Sequence, residues 1–397
     1  MLYLGDAMNK IMVIIPDILS NIIEKGEVTD RYYNPGNFFS EVHLVLTNND
    51  NPDISQVQKM VGTAKLHIYN LPDANSIFFF SFGWRPLLLK WWLNRAVKIA
   101  KHIQPDIIRC HVPHINALAA AQIKKELNIP YVVSLHINPD EDVRGRASNL
   151  IKKLVTFSQK KIERIGLLNA NLVMPVYTPI VPYLEKLGVI KFEVCYNTLN
   201  PKYLREKDNY SLHKPIQIIS VGRQFKEKNP ENLIRAVALL NNAELTLVGD
   251  GSYHQHLVNV AKECNIENRV KFHKSITNDE LCTMLKEFDI FATHTEYWEI
   301  SKSVLEPLLT GLPVLLNERQ GEPVKELNSE ICLLVKNTIN EYHGALLKLI
   351  EDDSFRENLG RRAYSYAQKK WSPEITEQKF VKIYQKIMNE KCQSNND

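Results

Sequence analysis

Two cations and a carboxylate stand where apolar runs of this chain give way to helical patterns, a placement that could serve a phosphorylated ligand. Ser220-Val221-Gly222-Arg223 closes one β-branched run, Lys228 lies five residues beyond Arg223, and a helical pattern opens near Pro230. Ligands of open parallel sheets bind beyond the carboxyl ends of the strands. Arg223 and Lys228 there could clamp a diphosphate and stabilise the charge of a departing nucleotide; with nothing else beside it, the stretch reads more plainly as a strand-to-helix loop carrying solvated cations. The second stretch runs from His294 through Ser303, Val304 and Glu306 to Gly311. It places Glu306 in the first turns of a short helix that ends at Gly311. A carboxylate so placed can accept hydrogen bonds from vicinal hydroxyls such as those of a ribose. Amides near Ser303 and Val304 would meet phosphates at the positive helix end. The alternative for Glu306 is a structural acid capping its own helix, although Val304, Leu305 and Leu308 make its burial without a partner costly.

The elements that must position these groups follow one rhythm. Apolar runs at 11–15, 42–46, 66–69, 107–110, 131–135, 172–176 and 194–196 form one set of expected strands, and those at 216–221, 245–248, 270–272, 290–292, 314–316 and 331–335 form a second. Helical patterns at 230–240, 278–287 and 342–350 fall between members of the second set. Strands that are apolar throughout belong to parallel sheets covered on both faces, so the expected fold is α/β, with two doubly wound Rossmann-like domains. The boundaries are expected at 1–204, 205–371 and 372–397, with the first break in the polar stretch 201–214 and the last segment a long helix. Ser372 suits that helix's N-cap and Pro373 its first position.

Composition sets the outer limits. At 397 residues the chain is long enough for two cores, and 44% hydrophobic with 24% charged residues is ordinary for a globular protein. A net charge of +4 does not argue for nucleic acid. The six cysteines are scattered without metal-ligand spacing, which suggests free thiols in a reducing, cytoplasmic compartment. No run approaches the roughly 18–20 apolar residues of a membrane span. MLYLGDAMNK does not read as a secretion signal, and Met8 would serve equally well as a start.

From Ile216 to about Val335 the chain resembles the C-terminal domain of the family 4 retaining glycosyltransferases of GT-B fold. The matching pieces are SVGRQFKEKNPENLIRA, LTLVGDG, VKFHKSITNDEL and the stretch ending VLEPLLTGLPVL, in the family's order and spacing. The resemblance implies two domains facing a cleft and a C-terminal helix crossing back to the first. It implies a nucleotide-sugar donor, a glycan or lipid-linked acceptor, retention, and no metal or other cofactor. Arg223 and Lys228 fall on the family's diphosphate ligands, with Gly222 beside them, and Glu306 falls on its ribose ligand. Residues 273–276, ending at Ile276, correspond to where backbone groups meet the nucleobase. The family pairs Glu306 with a glutamate on the transferred sugar at position 298. Here that residue is Trp298, with Glu299 and Glu296 on either side. Either Glu299 substitutes or the sugar stacks on Trp298.

The N-terminal half matches more weakly. His136, closing the run VVSLH, is the candidate histidine beside the reacting carbon, against a functionless loop residue. The loop 16–36 replaces the family's glycine-rich loop and carries Arg31, Tyr32, Tyr33 and Asn34, which either contact acceptor or order the loop. Asp140-Glu141-Asp142 is a pattern by which a different glycosyltransferase fold holds a divalent cation; the longer C-terminal match outweighs it. The aromatic stretch 78–92 and the cations after it read equally well as a peripheral contact with the inner face of a membrane and as core packing. Two rival functions stay open: a GT-B epimerase or hydrolase of nucleotide sugars, and a non-catalytic nucleotide-sugar-binding protein.

Overall fold

The computed structural model of the protein describes residues 9–72, 86–140, 150–294, 300–319 and 324–394. These divide into two compact units, one of the described residues within 9–23, 28–198 and 376–394, the other of those within 24–27 and 199–375. The first holds a six-stranded parallel sheet of β1 (Lys10–Ile15), β2 (Glu41–Leu46), β3 (Lys65–Asn70), β4 (Ile107–His111), β5 (Tyr131–Leu135) and β6 (Leu172–Pro175), in the order β3-β2-β1-β4-β5-β6. The second repeats that order with β7 (Ile216–Val221), β8 (Ala243–Val248), β9 (Val270–His273), β10 (Ile290–Thr293), β11 (Val314–Asn317) and β12 (Leu333–Val335), arranged β9-β8-β7-β10-β11-β12. Both are Rossmann-like sheets, and each has a switch point, between β1 and β4 and between β7 and β10.

The apolar runs of most inner strands are buried along nearly their whole length, whereas the edge strands β3, β9 and β12 are only partly covered. In the first unit Ile11, Val13, Ile15, Val42, Leu44 and Leu46 share a core with Phe380, Ile383, Tyr384 and Ile387. Those four lie on the C-terminal helix Pro373–Ser394, whose start is capped by Ser372, with the Ile375 amide donating to its Oγ at 3.3 Å. In the second unit Ile218, Leu245, Ile290 and Leu315 pack with Leu233, Val237, Leu257 and Leu346 from the helices.

One expected strand, 194–196, is not a strand. The chain there runs beside β6, with Val173 N donating to Lys191 O, Glu193 N to Val173 O and Cys195 N to Pro175 O, all at 2.9–3.0 Å. Only an isolated bridge between Val173 and Phe192 forms, because Pro175 has no N–H to return to Glu193.

The loop after β1 is ordered from within. Asn34 is fully buried; its amide donates to Phe39 O (3.0 Å) and Val61 O (3.1 Å), and its carbonyl accepts from Phe39 N (2.9 Å). Arg31 pairs with Glu377 at 3.0 Å. Asn34→Ala strands three buried partners and is expected to cost ~2 kcal/mol, read as a lower urea midpoint at an unchanged slope.

Among the described residues no helix is long and apolar enough to cross a membrane. Much of the aromatic stretch 78–92 lies outside the described residues. Of its end, Trp92 is buried with its indole donating to Pro72 O at 2.9 Å, whereas Leu87 and Trp91 are exposed. Arg95 lies over the Trp91 ring, 4.8 Å from its centroid.

Candidate functional site

The second unit has a concave site at its switch point. It is lined by the end of β7 (Ser220, Val221, Gly222), the end of β8 (Leu247, Val248), the end of β10 (Thr293, His294), the loop residues Gln224, Lys228 and Pro230, and the start of the helix Lys302–Leu309 (Ser301, Ser303, Val304). The space is about 440 Å³ out to its open mouth.

Backbone geometry makes room for it. A Cβ on Gly222 would meet nothing within 4 Å, so bare backbone faces the space. The loop is braced from β8: Gly249 sits at φ +134°, and a Cβ there would overlap the Gly222 carbonyl. Gln224 N donates to Asp250 O at 3.0 Å, and the His254 imidazole bonds the Gln224 side chain at 2.7 Å. Lys228 ends a short 3-10 turn, Lys226–Lys228, with its amide on Phe225 O at 3.0 Å.

Four of the residues expected from the sequence come together here: Gly222, Lys228, Ser303 and Val304. Ser303 Oγ lies 2.8 Å from Ser301 Oγ. The Val304 amide, expected to face phosphates, already donates to Ser301 O at 3.0 Å, as does Leu305 N at 3.1 Å. Arg223 is exposed and outside the lining. Ile276 is also outside it; its carbonyl packs against Gly26, whose φ of +69° and lack of Cβ allow that approach. Asn278 N donates to Gly26 O at 2.7 Å, which ties residues 24–27 to this unit. Glu299 and Trp298 lie outside the described residues, as do Glu141 and Asp142 of the acidic triplet.

Glu306 is on the same short helix, but its carboxyl is buried, 2% exposed, and does not line the space. Asn278 Nδ2 donates to its Oε1 at 2.8 Å. Burial pushes its pKa up to about 7, against the opposing hydrogen bond from Asn278, the charge of Lys302 and a bond to the Cys282 thiol. Burial in turn lowers the pKa of Lys302, which feels the carboxylates of Glu306 and Glu27 in the opposite sense.

Gln224, Thr293, His294 and Ser301 complete the lining without an assignment from the sequence. The carboxyl-end rule that selects Gly222 would also have selected Thr293 and His294, which follow the apolar run of β10. His294 is 4% exposed, and burial lowers its pKa against an opposing backbone hydrogen bond at Asn229.

In the first unit His136 directly follows β5, and its ring centroid lies 5.0 Å from that of His111, the last residue of β4. Tyr32 and Tyr33 pack on His111 at 5.8 and 5.4 Å. Buried Arg109 donates to Ser134 Oγ at 2.9 Å and lies 4.6 Å from the centre of the Phe380 ring. Thus Asn34 and Arg31 make the contacts that order the loop, and both tyrosines pack on His111.

Comparison with known proteins agrees with this architecture. Residues 40–203 match the family described as Glycosyltransferase Family 4, and residues 205–366 match glycosyl transferases group 1. An uncharacterised glycosyltransferase of Methanocaldococcus jannaschii is 24% identical over 331 residues, covering 76% of this chain and 82% of the relative. The N-acetyl-alpha-D-glucosaminyl L-malate synthase of Bacillus anthracis is 22% identical over 312 residues, 75% of this chain and 79% of the relative. Among solved structures, sucrose-phosphate synthase from Thermosynechococcus elongatus superposes with a TM-score of 0.71 at 16% identity, covering 96% of this chain and 99% of that one. Anabaena HepE in complex with UDP gives 0.70 at 16% identity, over 96% and 100% of the two chains. With two Rossmann-like sheets of matching order and both halves of the chain assigned, the protein is a glycosyltransferase of GT-B fold and belongs to family 4.

Proposed function

We propose that this glycosyltransferase takes its sugar from a nucleotide-diphosphate sugar seated at the β7–β10 switch point and passes it to a hydroxyl of a glycan or lipid-linked acceptor, with retention and without a metal. The observation that carries the reading is the convergence of Lys228 and the amino-terminal end of the helix Lys302–Leu309 on one site floored by bare Gly222 backbone. A lysine and a helix start supply fixed positive charge to a diphosphate, the role a metal has in other nucleotide-sugar enzymes.

In this reading the diphosphate rests between Lys228 and Ser303, and Arg223 swings in from the exposed loop once the donor is bound. Glu306, which stands behind the lining, must turn from Asn278 to take the ribose hydroxyls; the backbone at Ile276 meets the base, and Glu299 reads the sugar. The acceptor oxygen bonds to the anomeric carbon as the bond from that carbon to the phosphate oxygen breaks. The leaving phosphate takes the acceptor's proton on the same face, which preserves the configuration. Negative charge grows on the leaving diphosphate, so Lys228 acts most strongly in the transition state. His136 stands on the acceptor side. Exposed Leu87 and Trp91 beside Arg95 offer a peripheral contact to a membrane that carries a lipid-linked acceptor.

The test is calorimetry with a panel of nucleoside diphosphates, followed by product analysis of any cognate sugar donor with and without candidate acceptors. One diphosphate is expected to bind in the micromolar range or tighter, and its sugar donor to turn over slowly until acceptor is added. Failure of every diphosphate to bind would end the proposal, and fast donor cleavage without acceptor would assign a hydrolase instead.

A further inference from the structure

At the other end of the first sheet, near the amino-terminal ends of β2 and β3, three metal-ligating side chains meet. Glu41 and His43 alternate along β2, and His67 is the register partner of His43 on β3, so all three share one face of the sheet. It is the face opposite the core that takes Val42, Leu44 and Leu46. His43 Nε2 lies 3.2 Å from Glu41 Oε2, and His67 Nε2 lies 3.8 Å from the same oxygen. The ligand atoms of all three residues lie within 4.8 Å of one another. The two imidazoles stack in parallel, 4.5 Å apart with 6° between planes, and both present Nε2 to the carboxylate.

A tetrahedral zinc site with bonds of 2.0–2.1 Å needs donor atoms about 3.3 Å apart; the trio stands within 4.8 Å, and one imidazole must turn out of the stack for both Nε2 lone pairs to meet one ion. Side-chain exposure rises from 5% for His43 through 14% for Glu41 to 30% for His67, which leaves solvent access on the His67 side for an ion and its water. Lys10 Nζ, 3.7 Å from Glu41, is the cation that now shares the carboxylate. A salt bridge alone would need Lys10 and Glu41 and would not need two stacked histidines on neighbouring strands.

We propose that Glu41, His43 and His67 bind a single divalent cation of the zinc type, with water in the remaining position. Two imidazoles and one carboxylate favour zinc over magnesium or calcium. The ion joins β2 to β3 at the end of the sheet away from the strands' carboxyl termini, and is independent of sugar transfer.

The experiment uses untagged, chelator-treated full-length protein and reads zinc uptake by calorimetry with metal analysis, without any activity measurement. The expected result is one zinc per chain, an upward shift of the thermal midpoint, and at least a tenfold loss of affinity in each of His67→Ala and Glu41→Gln. Lys10→Met, which removes the competing ammonium, is expected to bind more tightly. On the wild-type chain, cobalt(II) should give the intense visible absorption of a tetrahedral ion, a readout that does not depend on any variant folding. No stoichiometric uptake, an octahedral cobalt spectrum, or undiminished affinity in folded His67→Ala would overturn the assignment.

Discussion

Lys228→Ala is expected to lower the turnover of sugar transfer by about 10²–10³-fold, with the thermal midpoint of the protein nearly unchanged. Lys228 lines the site and is held there by the short turn Lys226–Lys228, so its charge is placed before the donor arrives. Charge fixed in advance costs no reorganisation as the leaving diphosphate develops its negative charge. Arg223 is different. Its side chain is exposed and outside the lining, so it must be ordered from solvent when the donor binds, and part of its Coulomb gain is lost to that ordering and to screening. Arg223→Ala is therefore expected to cost less, on the order of tenfold. Steady-state kinetics on both variants, with a cognate donor and acceptor, checks the pair. A larger loss for Arg223→Ala than for Lys228→Ala would move the phosphate seat out of the β7–β10 site and onto the exposed loop. Equal, near-normal turnover in both would remove the cation clamp altogether.

The contrast between these two cations marks what the sequence can and cannot convey. It carries the strand ends, because a buried parallel strand is apolar along its whole length, and so it places Gly222, Arg223 and Lys228 after β7. Which of the two cations turns into the site depends on bracing by Gly249 and Asp250 from the next strand, which no local pattern announces. Arg109 is the same case in the first unit. An arginine inside a strand reads as an interruption of an apolar run. Its partners, Ser134 on β5 and Phe380 on the C-terminal helix, lie 25 and 271 residues away along the chain. The strand expected at 194–196 failed for a local reason that was visible, Pro175 on the neighbouring strand, but only once the register of that pairing is known. The metal-ligating trio is likewise set by register: His43 meets His67 only because β2 and β3 pair in step.

Glu306 gives the second large expectation, because its burial couples the ligand site to pH. A carboxyl whose pKa the fold raises to about 7 is held protonated. The sign follows: the fold gains stability from that proton below the ordinary glutamate range, and loses it as pH rises through about 7 and the buried group must ionise. Glu306→Gln keeps the shape and stays neutral, so it escapes the loss. The variant should equal wild type near pH 4.5 and exceed it at pH 8 by about 3 kcal/mol, seen as a gap in thermal midpoint that widens with pH. Nucleotide affinity should move the other way. Ribose hydroxyls donate to an ionised carboxylate more strongly than to a neutral acid, so a bound nucleotide favours ionisation. Wild-type affinity for the nucleoside diphosphate then rises as pH passes about 7, while that of Glu306→Gln stays flat and lies roughly tenfold or more lower at pH 8. Melting curves and calorimetry at both ends of this range separate the two roles open to the residue. A widening stability gap with identical nucleotide affinities in the two proteins would make Glu306 a structural acid of its helix, held by Asn278, and would remove it from the ribose. A gap that does not widen would mean that Lys302 keeps the carboxyl ionised throughout, and that the helix Lys302–Leu309 carries a buried ion pair rather than a buried acid.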